Sequence, residues 1–219
     1  MTRSSALDRM DGLMARAFAD DLALSATSIA DLYEAMEEID RFERASGLAK
    51  NIKKTKVLCA NNQDQAAAEL AQDAVSYDPS YFSIAYPMGD VPANKGVCTD
   101  VIIRAYRKVG VDLQELVHQD MKQNFGAYPQ NWGLKKPDAN IDHRRVPNLM
   151  CYFKRQKAKL NTKDYQAGDL VCWNLGSGIL HIGIVLKEQN KANKRPLIMH
   201  NIGAGQVKED VLFQYAIIG

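Results

Sequence analysis

The stretch after Gly168 constrains the fold most. Three runs there, GDLVCW, ILHIGIVLK and PLIMHNIG, carry the period of strands, and the charged segment EQNKANKRP between the last two serves as a turn. Pro196 to Asn201 is thereby brought back alongside the preceding run, which makes a small sheet. In the middle run Leu180, Ile182, Ile184 and Leu186 share one face, while Ile179, His181, Gly183 and Val185 share the other. His181 thus projects opposite the more apolar row.

Ahead of the sheet the pattern is helical. Val101, Ile102, Ala105, Tyr106 and Val109 form one apolar face of a helix over Thr99 to Val109, with Arg104, Arg107 and Lys108 opposite and Gly110 as the stop. From Gln119 to Asn148 the chain is rich in Pro, Asn, Asp and aromatics and weakly periodic, which predicts an ordered loop. Residues 1–64 read as a helical N-terminal region. One helix carries Ile29, Leu32, Tyr33, Met36, Ile39 and Phe42, KTKVLCANN is a connector, and a further helix runs through QAAAELAQDAV. Residues 65–219 form the second domain, and the whole is α+β. A packing role for the N-terminal helices competes with a separate function.

With 219 residues, the chain is long enough for one substantial core plus an extension. A net charge of +2, with both signs interleaved, gives no electrostatic case for nucleic acid. No run approaches the roughly 18 apolar residues of a membrane span. The opening segment is broken by Asp8, Arg9, Asp11, Arg16, Asp20 and Asp21, unlike an export signal. Cys59, Cys98, Cys151 and Cys172 lack metal-type pair spacing, so neither metal nor cofactor is expected. A Cys151–Cys172 bridge stays open.

Cys98 lies between Gly96 and the first turn of the predicted helix. Unpaired backbone N–H groups and the helix dipole stabilise a thiolate at such a place, and an oxyanion beside it. The competing reading is a small buried side chain under a helix start. His181 and His200, on neighbouring predicted strands, supply a base and an orienting group, which is triad logic.

The strings Gly96-Val97-Cys98-Thr99-Asp100, Gly168-Asp169-Leu170-Val171 and His181-Ile182-Gly183-Ile184-Val185 resemble the NlpC-type cell-wall amidases and peptidases. YDPSYFSIAYPMGDVP, GVCTDVIIRAYRKVG, NIDHRRVPNL and HNIGAG resemble, more closely, a bacterial branch known as a domain of unknown function. The resemblance implies a papain-like fold, a cysteine-bearing helix on an antiparallel sheet, and cleavage of amide bonds in peptidoglycan stem peptides. It also implies that Cys98, His181 and His200 are catalytic, and that Tyr86, followed by Gly89, helps to form the oxyanion site. Two departures from the commoner members stand out: Val97 and Thr99 occupy places where their motif has Asp and Ser, and Asp142-His143-Arg144-Arg145 has no counterpart in them. Asp100, Asp142, His143, Arg144 and Asn201 are the candidate substrate contacts. N-capping by Asp100 and a structural ion-pair cluster around the arginines are the equal alternatives.

Without an export signal, a wall hydrolase made in the bacterial cytoplasm is expected to reach the periplasm by specialised secretion. An antibacterial effector of that kind would have an immunity protein and a secretion-machine component as partners. A papain-fold acyltransferase, a protein-directed cysteine peptidase and a non-catalytic wall-binding module are the alternatives.

Overall fold

A computed structural model describes residues 13–18, 21–26, 63–156, 158, 164–203 and 205–219. The chain divides into two units, Met1–Asn61 and Asn62–Gly219. In the first, β1 (Leu13–Phe18) and β2 (Asp21–Ala26) pair antiparallel, with Leu13 opposite Ala26 and Phe18 opposite Asp21. This hairpin replaces the helix expected over those residues. LMARAF and DLALSA also satisfy a period of two in sequence, and in the observed register Leu13, Ala15 and Ala17 stand opposite Ala26, Leu24 and Leu22. The helix expected over Ile29 to Phe42, and Cys59 with its connector, lie outside the described residues.

The second unit opens with α1 (Gln63–Leu70), the helix expected in QAAAELAQDAV, which buries Ala66, Ala67 and Leu70. A two-residue parallel bridge follows between β3 (Ser76–Tyr77) and β4 (Lys95–Gly96). Next come α2 (Cys98–Lys108), α3 (Leu113–Asn124) and α4 (Val146–Arg155). The chain closes with β5 (Leu170–Asn174), β6 (Leu180–Gln189), β7 (Pro196–Asn201), β8 (Gln206–Glu209) and β9 (Ala216–Ile217). These five strands make one antiparallel sheet in the order β8-β7-β6-β5-β9. The second unit is therefore mixed α+β, with α1 and α2 packed on β6. The three expected strands are its centre; β8 and β9 are short additions at its edges.

Helix α2 forms where its apolar stripe predicted, with Val101, Ile102, Ile103 and Ala105 buried. Helix α3 and helix α4 occupy parts of the stretch expected as loop. Asp112 caps α3 by accepting the Gln114 N–H at 3.1 Å, and Leu113, Val117 and Met121 recur every four residues on its buried side. Pro147 in the first turn starts α4, which buries Val146, Leu149 and Tyr152. Between them, Phe125–Ala127 and Asp142–Arg144 are single 3₁₀ turns.

One face of the sheet holds a cluster of Val171, Trp173, Val185, Ile198, Val211 and Leu212. The Trp173 indole N–H donates to the Leu212 carbonyl at 2.9 Å, so the largest core residue leaves no buried donor unpaired. Gly183 makes room for it. A Cβ there would lie 2.5 Å from Ile198 Cγ2 and 3.2 Å from Trp173 Cη2. Among the described residues, no helix is long and apolar enough to cross a membrane.

Candidate functional site

Cys98 is the first residue of α2, and Val97 is the N-cap. Valine has no side-chain acceptor, so the N–H groups of Cys98 and Thr99 are not consumed by a cap, while that of Asp100 donates to the Val97 carbonyl at 3.1 Å. They turn to the sulfur instead: the backbone N–H groups of Thr99 and of Cys98 itself pull the thiol pKa down, as does that of Ile182 on β6. Burial is the largest influence and, with the Asp100 charge acting the same way, outweighs them and pushes the thiol up to about 11. At neutral pH the resting sulfur is therefore a thiol, held against β6 one residue beyond His181.

His181 stands opposite Trp173 across the β5–β6 ladder, and the two rings stack at 5.7 Å with 28° between planes. Its Nε2 lies 2.9 Å from Nδ1 of His200, and Nε2 of His200 lies 3.0 Å from a carboxylate oxygen of Glu209. Both imidazoles are buried. Burial, reinforced by His200, lowers His181 to about 4, and burial also lowers His200, with Glu209 acting in the opposite direction. The order His181, His200, Glu209 is a chain of ring nitrogens ending at a half-exposed carboxylate. Glu209 escaped the sequence reading because it sits on β8, an edge strand too short to announce itself.

Tyr86 packs on α3. Its ring meets His118 edge-on at 4.9 Å; burial raises its hydroxyl pKa, and the groups that shift it further, Glu115, Asp112 and Gln119, belong to α3 and its cap. The reason is the anchoring of its loop. Gln114 accepts the Gly89 N–H at 2.8 Å and donates to the Ala85 carbonyl at 2.8 Å, while Arg107 donates to the Gly89 carbonyl. A Cβ at Gly89 would overlap the Ala85 carbonyl oxygen, so only glycine permits this turn. Tyr77, paired with Gly96 in the short parallel bridge, is a tyrosine near the sulfur. Desolvation, then Cys98, then Asp100 raise its hydroxyl pKa, so it stays a donor at neutral pH. The signal for Tyr77 was its place just before Asp78-Pro79, where the helical composition ends.

The remaining candidates are buried around two separate ion pairs. Asp100 and Arg144 pair bidentately, Nε to Oδ1 at 2.8 Å and Nη2 to Oδ2 at 2.9 Å, with both side chains buried. Asp100 also accepts the Val97 N–H at 2.7 Å, and Nη1 of Arg144 donates to the Ser80 carbonyl at 3.2 Å. Asp142 accepts from Arg145 at 3.2 Å, and Arg145 lies over the Trp132 ring at 3.9 Å. With its fork occupied by Asp100, Arg144 has no bidentate face left for a substrate carboxylate. The structural ion-pair alternative accounts for these contacts. His143 is buried, its Nδ1 has no partner, and burial with Arg107 and Arg144 lowers it to about 3. Asn201 is buried too, its amide donating to the Gly96 carbonyl at 3.3 Å, which ties β7 to the approach to Cys98. The cysteines described, Cys98, Cys151 and Cys172, are free thiols, and no group of three metal-ligating side chains occurs among the described residues.

Residues 64–219 match the family described as a domain of unknown function, DUF1287. The uncharacterized protein YijF of Escherichia coli (strain K12) is 50% identical over 166 residues, which cover 72% of this chain and 80% of that protein. No solved structure matches the chain.

Proposed function

For a chain that belongs to the DUF1287 family, we propose a cysteine-dependent amide hydrolase on a papain-like fold, acting on peptidoglycan stem peptides. The observation that carries this reading is a thiol at the uncapped first turn of a helix, packed on a strand whose histidine starts a chain of ring nitrogens. In this reading His181 takes the thiol proton as the sulfur attacks an amide carbonyl. The first-turn N–H groups, with Tyr77 in the part expected of Tyr86, then donate to the developing oxyanion. His181 returns the proton to the leaving amine, and water hydrolyses the acyl-enzyme. Delivery to the periplasm as an antibacterial effector, with an immunity protein as partner, extends the same proposal.

Incubating purified peptidoglycan with the protein and with Cys98→Ala tests it. New muropeptides are expected only from the former, with activity falling by at least about 100-fold in the variant. Identical profiles would sink the proposal.

The thiol pushed up to about 11 favours a second reading, a non-catalytic wall-binding module. Iodoacetamide separates the two when stem peptide is added. Alkylation of Cys98 that stays negligible near pH 7, with and without peptide, belongs to the module; labelling or turnover that appears with peptide belongs to the hydrolase.

A further inference from the structure

We infer that Glu209 is a positioning residue that fixes, through His200, the tautomer of His181 whose Nδ1 is an unprotonated acceptor. The argument is one of counting donors. Buried imidazoles with lowered pKa values are neutral near pH 7, so each ring carries a single N–H. A carboxylate only accepts. The 3.0 Å contact between Glu209 and Nε2 of His200 therefore requires the proton of His200 on Nε2, which makes its Nδ1 an acceptor. That acceptor lies 2.9 Å from Nε2 of His181. Two lone pairs at this distance repel, so His181 must carry its proton on Nε2 and present Nδ1 bare. One carboxylate at the edge of the sheet thus dictates the state of a ring two hydrogen bonds away.

Two neighbouring groups offer no competing control. The Trp173 face stacked on His181 offers no competing donor, because its indole N–H is spent on the Leu212 carbonyl. Lys208, the neighbouring charge on β8, is paired with Glu188 at 2.5 Å. The positions also suit: β7 and β8 pair with His200 opposite Val207 and Ile198 opposite Glu209, so Glu209 lies on the same face of the sheet as His200, one pair along.

The consequence for chemistry rests on the hydrolase reading, in which His181 accepts the thiol proton: only the tautomer with bare Nδ1 leaves a basic nitrogen once Nε2 is committed to His200. The inference about the tautomer itself does not need that reading.

The test is long-range ¹H–¹⁵N correlation of histidine-labelled protein near pH 7.5, which distinguishes protonated from bare ring nitrogens. In the wild type both His181 and His200 are expected as Nε2–H tautomers. Glu209→Gln keeps an acceptor oxygen and should retain that state. Glu209→Leu removes it and should give mixed tautomers in both rings while the backbone amide spectrum away from β7 and β8 stays unchanged. Peptidoglycan turnover should then fall on the order of tenfold in Glu209→Leu and recover in Glu209→Gln. A wild-type His181 with its proton on Nδ1, or a Glu209→Leu spectrum showing the wild-type tautomers, overturns the inference. If the tautomers respond as expected and no peptidoglycan is cleaved by any form, the inference stands and the proposed substrate fails; if turnover is present and the tautomers ignore Glu209, the reverse holds.

Discussion

The Asp100–Arg144 pair and the His181–His200 pair are both buried polar pairs, yet one closes on itself and the other leads out to solvent. Asp100 satisfies the guanidinium fork and the Val97 N–H together, and the rest of Arg144 goes to the Ser80 carbonyl. The histidine pair instead ends at Glu209, whose side chain is 48% exposed. A closed charged network holds two segments in register, here the first turn of α2 and the 3₁₀ turn at Asp142–Arg144. A chain of neutral imidazoles open at one end can gain or lose protons. The motif around Cys98 thus combines scaffolding at Asp100 with chemistry at the sulfur, two residues apart.

Breaking the closed network should have the largest effect. Arg144→Ala leaves the Asp100 carboxylate buried beside Tyr77 without its partner, which costs about 3–5 kcal/mol of folding stability. Replacing both members, Asp100→Leu with Arg144→Met, removes the stranded charge and should be markedly milder than Arg144→Ala alone. Urea unfolding of the three proteins measures this. A loss below about 1 kcal/mol for Arg144→Ala would mean that the pair is solvated and not scaffolding.

The same contrast explains what the sequence made legible. The period-two runs after Gly168 and the amphipathic stripe of α2 mark the core of the fold, because both patterns are local and repeated. The positions of Cys98, His181 and His200 follow from those patterns. Arg144 and Glu209 do not, since each acquires its partner only when distant segments meet: Arg144 is 44 positions from Asp100. The seat of Tyr86 is non-local as well. Its spacing from Cys98 matched a family pattern, but Gln114, which holds the Ala85–Gly89 turn on α3, lies well downstream. Helix α3 differs, because its Leu113, Val117, Met121 stripe and Asp112 cap are local, and the polar composition after Gln119 hides only its second half.

Acid should attack the open network first. His181 has a folded pKa of about 4 against an ordinary value of 6.5, so the unfolded chain binds its proton more readily. Stability from keeping this ring neutral is complete above pH 6.5 and is lost as pH falls toward 4, by up to roughly 3 kcal/mol. His143, lowered to about 3, adds a loss over the same window that continues further down, while Asp142, raised by burial, pulls the other way. Unfolding free energies between pH 7 and pH 4 should therefore decline, and His181→Gln should flatten that decline more than His118→Gln, whose ring is far less buried. Equal slopes for the two variants would count against a buried neutral His181.

Thr99 offers the mildest probe of the closed side, because it contributes one hydrogen bond and no charge. Its hydroxyl is fully buried and donates to the Arg144 carbonyl at 2.9 Å, linking the turn that bears Arg144 to the residue after the candidate nucleophile. Thr99→Val keeps the shape and leaves that carbonyl without this donor, which should lower stability by about 1–2 kcal/mol. The ion pair still holds the turn, so the Cys98 environment should change little. Thr99→Ser restores the donor and loses only a methyl group, so it should recover part of the difference in urea unfolding. If Thr99→Val instead destabilises as strongly as Arg144→Ala, this hydrogen bond rather than the ion pair carries the junction, and the assignment of scaffolding to Asp100 and Arg144 must be revised.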